Sequence, residues 1–87
     1  LYASGYMAEV EVINVGGFAD LVLKYQKKVF ILEIKVRGTA KAAIKQIKDK
    51  GYARRYTDAK EIYLIGVIMD TNKRRVKEME VELINKN

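Results

Sequence analysis

The stretch that most restricts the fold is ADLVLKYQKKVFILEIK, residues 19–35. Two apolar segments flank a short polar break, and such a pattern reads as an antiparallel hairpin. Residues 18–25 supply one strand, and residues 28–36, KVFILEIKV, supply the next, rich in β-branched and aromatic side chains. If Gln26-Lys27 is the two-residue turn, Tyr25 faces Lys28. Counting back along that register pairs Leu23 with Phe30, Leu21 with Leu32, and Asp20 with Glu33. Side chains alternate faces along a strand, so Glu33 and Lys35 share one face while Phe30, Leu32, Ile34 and Val36 point to the other.

The hairpin thus gathers three charges in the most apolar part of the chain. Opposed residues have Cβ atoms about 4.5–5.5 Å apart, and two carboxylates at that distance repel without a compensating cation. Lys35 supplies one positive charge and a divalent metal would supply two. The alternative is a diagonal ion pair between Asp20 and Lys35 with Glu33 solvated at a sheet edge. One inserted residue in the turn would also move Asp20 to the opposite face. Spacing alone leaves both readings open.

The remaining elements follow from periodicity. AEVEVINV alternates Val10, Val12 and Val15 with Glu9, Glu11 and Asn14, a half-buried strand closed by the turn signal Gly16-Gly17. Arg37-Gly38 ends the hairpin and Thr39 is a suitable N-cap. Ala40, Ala43, Ile44, Ile47 and Gly51 then mark one apolar helical face over about four turns. EIYLIGVIMD, residues 61–70, reads as a strand buried on both faces, TNKRR as a turn, and VKEMEVELI as a final alternating strand. The order is β-β-β-α-β-β, an α/β domain with a mixed sheet of about five strands and one main crossover helix. Residues 1–87 form a single domain, expected to be a piece of a longer chain because it opens on LYASGY without Met.

Composition narrows the chemistry. With no Cys and no His, disulfides, thiolate or imidazole zinc sites and His-based acid–base catalysis are all excluded. Any metal would be a hard cation held by carboxylates, such as Mg²⁺ or Mn²⁺. A formal charge of +6 suits a polyanionic partner. No apolar run approaches the roughly 18 residues that span a bilayer, so no membrane role and a cytoplasmic location are expected.

The trio Asp20, Glu33, Lys35, within GGFAD…ILEIK, resembles the PD-(D/E)XK nuclease superfamily. The helix AKAAIKQIKDKGYARRY and the strand EIYLIGVIMD extend the likeness from about Glu11 to Met69, toward a branch found beside bacterial AAA-ATPase-like domains. The resemblance implies a restriction-endonuclease-like core whose first helix is truncated to LYASGY. It implies Asp20 and Glu33 as ligands of Mg²⁺ or Mn²⁺, joined by the Ile34 backbone carbonyl and by Glu11 on the first strand. Lys35 would be the catalytic lysine. Gln46, which matches the helix motif, would join the site by hydrogen-bonding to that lysine or to the carboxylates, or else is an ordinary surface residue. Tyr52 matches the same motif. No Pro precedes Asp20, and Phe18 stands where an Arg is frequent.

The implied activity is hydrolysis of phosphodiester bonds in nucleic acid, DNA in the first instance. The alternative is a nuclease-fold binding or regulatory module, weak or inactive in turnover and attached to an ATPase. Lys41, Lys45 and Lys48 form a basic stripe that would track phosphates, although a solvated helix face has the same pattern. Tyr52, Tyr56 and Tyr63 would stack on bases or cap the core. Glu78, Glu80 and Glu82 read as the solvated side of an edge strand. Sheet surface left uncovered by the short first element makes a homodimer the expected assembly.

Overall fold

The computed structural model describes residues 2–3, 6–7, 9–14 and 19–85. Val15, the Gly16-Gly17 turn and Phe18 lie outside these. Two short strands, β1 (Tyr2–Ala3) and β2 (Tyr6–Met7), pair with each other. The main sheet holds β3 (Glu9–Asn14), β4 (Ala19–Tyr25), β5 (Lys28–Lys35), β6 (Glu61–Asp70) and β7 (Arg75–Asn85), in that spatial order. Helix α1 (Ala40–Lys50) and a 3₁₀ turn (Tyr52–Arg55) connect β5 to β6. That crossover makes β5 and β6 the one parallel pair of the main sheet.

The β4–β5 hairpin turns at Gln26-Lys27 in the expected register, Tyr25 opposite Lys28 and Asp20 opposite Glu33. Gln26 adopts a left-handed φ of 56° in this turn.

The helix begins and ends where its residues require. The Thr39 hydroxyl accepts a hydrogen bond from the Ala42 amide at 3.1 Å, satisfying one of the unpaired donors of the first turn. Lys48 and Lys50 in the last turn complement the negative end of the helix dipole. Gly51 closes the helix at φ 71°, a left-handed conformation that suits glycine. The apolar face is accordingly shorter than four turns, and Gly51 caps the helix instead of extending that face.

Ala40, Ala43, Ile44 and Ile47 are buried on one side of the sheet, where Ile44 and Ile47 join a core with Val22, Ile31, Ile62 and Leu64. The contact is close above β6: a Cβ placed on Gly66 would lie 2.2 Å from the Ala40 carbonyl oxygen. Glycine there lets the helix start settle onto the sheet. Tyr56 is buried in the same core, with Lys24 Nζ 5.0 Å from its ring centroid.

Only one side of the sheet is covered by the helix. On β6, Ile62, Leu64, Gly66 and Ile68 are buried beneath it, whereas on the other side Tyr63 and Ile65 are half-buried and Val67 is buried. The apolar run is therefore fully buried on the helix side and only partly buried on the other. Residues opposed across antiparallel strands share a face, and that second face continues through Val10, Val12, Met79, Val81 and Leu83, each about half exposed. Phe30 and Tyr63 stack on it, ring centroids 4.8 Å apart.

The acids of β7 are also placed differently from expectation. Glu78, Glu80 and Glu82 oppose Ile68, Gly66 and Leu64, so they lie on the helix-covered side. Glu78 accepts a hydrogen bond from the Ala40 amide at 2.6 Å, and Glu82 pairs with Lys48 at 2.6 Å. They tether α1 to the edge strand, a favourable arrangement for a carboxylate at a helix start.

A candidate metal-dependent nuclease site

The rungs of the sheet show where the apolar core stops. One rung on the helix side carries Glu11, Val22, Ile31, Leu64 and Glu82, and its centre is fully buried. The next carries Asn14, Asp20, Glu33, Gly66 and Glu80. A carboxylate thus follows directly on the core positions Val29 and Ile31 of the central strand.

Glu33 is neither at an edge nor solvated: it is 1% exposed. Removing a carboxylate from water costs several kcal/mol, so a buried one requires partners. Lys50 Nζ donates to Glu33 Oε1 at 2.7 Å, from the last residue of α1. Lys35 Nζ lies 3.4 Å from Oε2, an ion pair across successive positions of one strand face. Lys35 also donates to Oε1 of Gln46 on α1, so strand and helix jointly hold its ammonium group. Oε2 itself is buried and makes no hydrogen bond.

The other residues singled out in the sequence take distinct places. Asp20 stands directly across from Glu33 in the ladder. Ile34 follows Glu33 on β5, paired with Ala19 and Val67. Glu11 is exposed on the same side of the sheet, two strands from β5 and one rung below Glu33. That offset separates the Cα atoms by about 12 Å, from a strand spacing of about 4.8 Å and a rise of about 3.3 Å per residue. Lys45 pairs with Asp49 at 3.1 Å and Lys48 with Glu82 at 2.6 Å, while Lys41 is exposed beside them. Tyr52 opens the 3₁₀ turn just beyond the helix.

Lys50 is the site residue that sequence reasoning missed. Its signal was present: it follows Gln46 by four residues, and positions i and i+4 share a helix face. Once Gln46 is placed beside Lys35, Lys50 falls one turn along the same face.

The donor set can be tested against a hard divalent cation. An anionic oxygen that is buried, accepts no hydrogen bond and has a second carboxylate-bearing residue across the ladder suits such an ion. Among the described residues, no cluster of three or more His, Cys, Asp or Glu side chains forms. The fit therefore rests on Glu33.

A scan against protein families matches residues 1–79 to the PD-(D/E)XK nuclease superfamily. The chain belongs to that superfamily, and its mixed five-stranded sheet with one helix is consistent with a restriction-endonuclease-like core. Nucleases of this class generally use divalent metals and act on nucleic acid. Comparison with curated proteins and with solved structures found no match. Among the described residues, no helix is long and apolar enough to cross a membrane.

Proposed function

We propose that this domain is a divalent-metal-dependent nuclease that hydrolyses phosphodiester bonds of nucleic acid, with DNA as the first substrate to test. The observation that carries the reading is Glu33: a buried carboxylate with an unbonded oxygen, beside Lys35 and across the ladder from Asp20. Asp20, Glu33 and the Ile34 carbonyl would hold Mg²⁺ or Mn²⁺, with Glu11 a further acid on the same side. The bound ion supplies charge for the scissile phosphate and a more acidic water. Lys35 orients the attacking water or stabilises charge developing at phosphorus. Gln46 fixes the Lys35 ammonium by accepting its hydrogen bond. Lys41, Lys45, Lys48 and Tyr52 are proposed as contacts to the nucleic-acid strand.

A second reading is a binding or regulatory module with little turnover, linked to an ATPase domain in a longer chain. It is favoured by the sparse donor set: among the described residues, no cluster of three or more His, Cys, Asp or Glu side chains forms. A Mn²⁺-dependent cleavage assay on plasmid and single-stranded DNA separates the two readings. Cleavage by the wild type that is lost in Lys35→Ala and Asp20→Ala is the expected outcome. Intact DNA with every protein, alongside retained nucleic-acid binding, would establish the module instead.

We also propose a second copy of the chain as the occupant of the open sheet face. Five strands about 4.8 Å apart, sharing about seven residues at about 3.3 Å each, offer about 500 Å² per copy. Two such faces bury about 1,000 Å², near the lower limit for a specific interface.

A further inference from the structure

Lys50 reaches into the site from α1, one turn beyond Gln46, and its position bears on metal entry. Its Nζ is 2.7 Å from Glu33 Oε1, on the carboxylate that the proposed function assigns to a divalent ion. A Mg²⁺ or Mn²⁺ ion bonded to that carboxylate at about 2.0–2.2 Å would place a double positive charge against the Lys50 ammonium. The repulsion is twice that of two unit charges at the same separation, in surroundings that screen poorly. The ion would bind most readily at Oε2, which accepts no hydrogen bond, and from there its charge would weaken the Lys50 contact on Oε1.

We propose that Lys50 is a displaceable counter-cation of the site, holding Glu33 when no metal is bound and leaving it when a divalent ion enters. The inference rests on the metal-site reading above and adds a residue to it. Two observations distinguish Lys50 from Lys35 in this role. Lys50 ends α1 and precedes Gly51, so its backbone lies at a helix terminus and not within a ladder. Its side chain is 31% exposed against 18% for Lys35, which leaves it a route to water.

The exchange has two opposing consequences. Without metal, Lys50 stabilises the fold by neutralising a carboxylate that burial would otherwise penalise. With metal, the same contact competes with binding, so the residue raises the ion concentration at which the site fills. Stability of the metal-free protein and affinity for the ion are thus linked with opposite sign through one side chain.

The test uses the whole chain with Mn²⁺ alone, without nucleic acid. Wild type, Lys50→Met and Lys50→Arg are compared by thermal melting and by Mn²⁺ titration followed by electron paramagnetic resonance. Lys50→Met keeps the aliphatic stem and removes the charge. It is expected to melt about 5–10 °C lower without metal, by the usual conversion for a domain of this size. It is also expected to bind Mn²⁺ about tenfold more tightly, with a larger melting shift on saturation. Lys50→Arg is expected to stay close to wild type without metal.

Equal or weaker Mn²⁺ binding by Lys50→Met, with binding intact in the wild type, overturns the counter-cation role and leaves the metal site standing. No Mn²⁺ binding by any of the three overturns the metal site, and this inference with it. Should Lys50→Met fail to fold, the wild type decides by nitrogen-15 resonance of its lysine ammonium groups, with Lys50 identified by its loss in Lys50→Arg. Mg²⁺ is expected to shift that signal toward a solvent-exposed lysine, and an unchanged signal at saturating Mg²⁺ overturns the proposal.

Discussion

At the scale of the residue, Glu33 shows how a proposed metal ligand can oppose the stability of its own fold. Its carboxylate is 1% exposed, and the desolvation it suffers is offset by Lys35 and Lys50. Replacing a buried ion pair by neutral groups of similar volume is often neutral or stabilising, provided that no other charge is left buried. Here the two lysines retain access to water, so they do not become buried orphans. Glu33→Gln is therefore expected to change stability by less than about 1 kcal/mol in urea unfolding, or to increase it, while abolishing any metal-induced melting shift. A loss of more than about 3 kcal/mol would mark Glu33 as chiefly a structural ion-pair partner. Lys35 with Gln46 was legible from the chain, since strand alternation and the helix motif each point at the site. The burial of Glu33 was not, because alternation assigns a side chain to a face but does not say which face the helix covers.

At the scale of the element, α1 positions half of the site. It brings Gln46 to Lys35 and Lys50 to Glu33, so its seat on the sheet controls the geometry around both. Three contacts set that seat: the Ala40 amide on Glu78, the Lys48–Glu82 pair, and the close approach over Gly66. A methyl group at Gly66 would meet the Ala40 carbonyl oxygen at 2.2 Å, and backbone cannot swing aside as a side chain does. Gly66→Ala is expected to destabilise the domain by about 1–3 kcal/mol, the usual cost of overpacking. It should also lower any nuclease rate measured at a temperature where the variant remains folded, because the helix must lift away from Glu33. Unchanged urea unfolding in Gly66→Ala would show that α1 does not sit as closely as described. The helix boundaries were readable from Thr39 and from the spacing of Ala40, Ala43, Ile44 and Ile47, with Gly51 as terminator and not as part of the face.

At the scale of the whole molecule, the sheet has one side under the helix and one apolar side open. Val10, Val12, Met79, Val81 and Leu83 together form a continuous surface with the half-buried residues of β4, β5 and β6. Contiguous apolar patches of this extent mark interaction surfaces. Sedimentation at high micromolar concentration is expected to show a dimer, converted to monomer by Val81→Lys, a change at an exposed position. A wild type that sediments as a monomer would remove the second copy as the occupant of this face. The site lies on the opposite side of the sheet, so Val81→Lys should leave Mn²⁺ binding intact.

Some of this protein was determined within the sequence, wherever a local rule acts alone. A two-residue turn sets the register of a hairpin, so Asp20 opposite Glu33 followed from counting. Caps and apolar spacing set the helix, and the absence of Cys and His limited any metal to oxygen ligands. The tertiary structure decided what depends on which surfaces meet. Met79, Val81 and Leu83 alternate with Glu78, Glu80 and Glu82, and alternation alone favours burying the apolar set. Instead, the acids face α1, because its backbone start and Lys48 offer them partners, and the apolar set faces outward. Lys50 joins Glu33 for the same kind of reason: a helix end folded back over the sheet brings together charges 17 residues apart that no local rule relates.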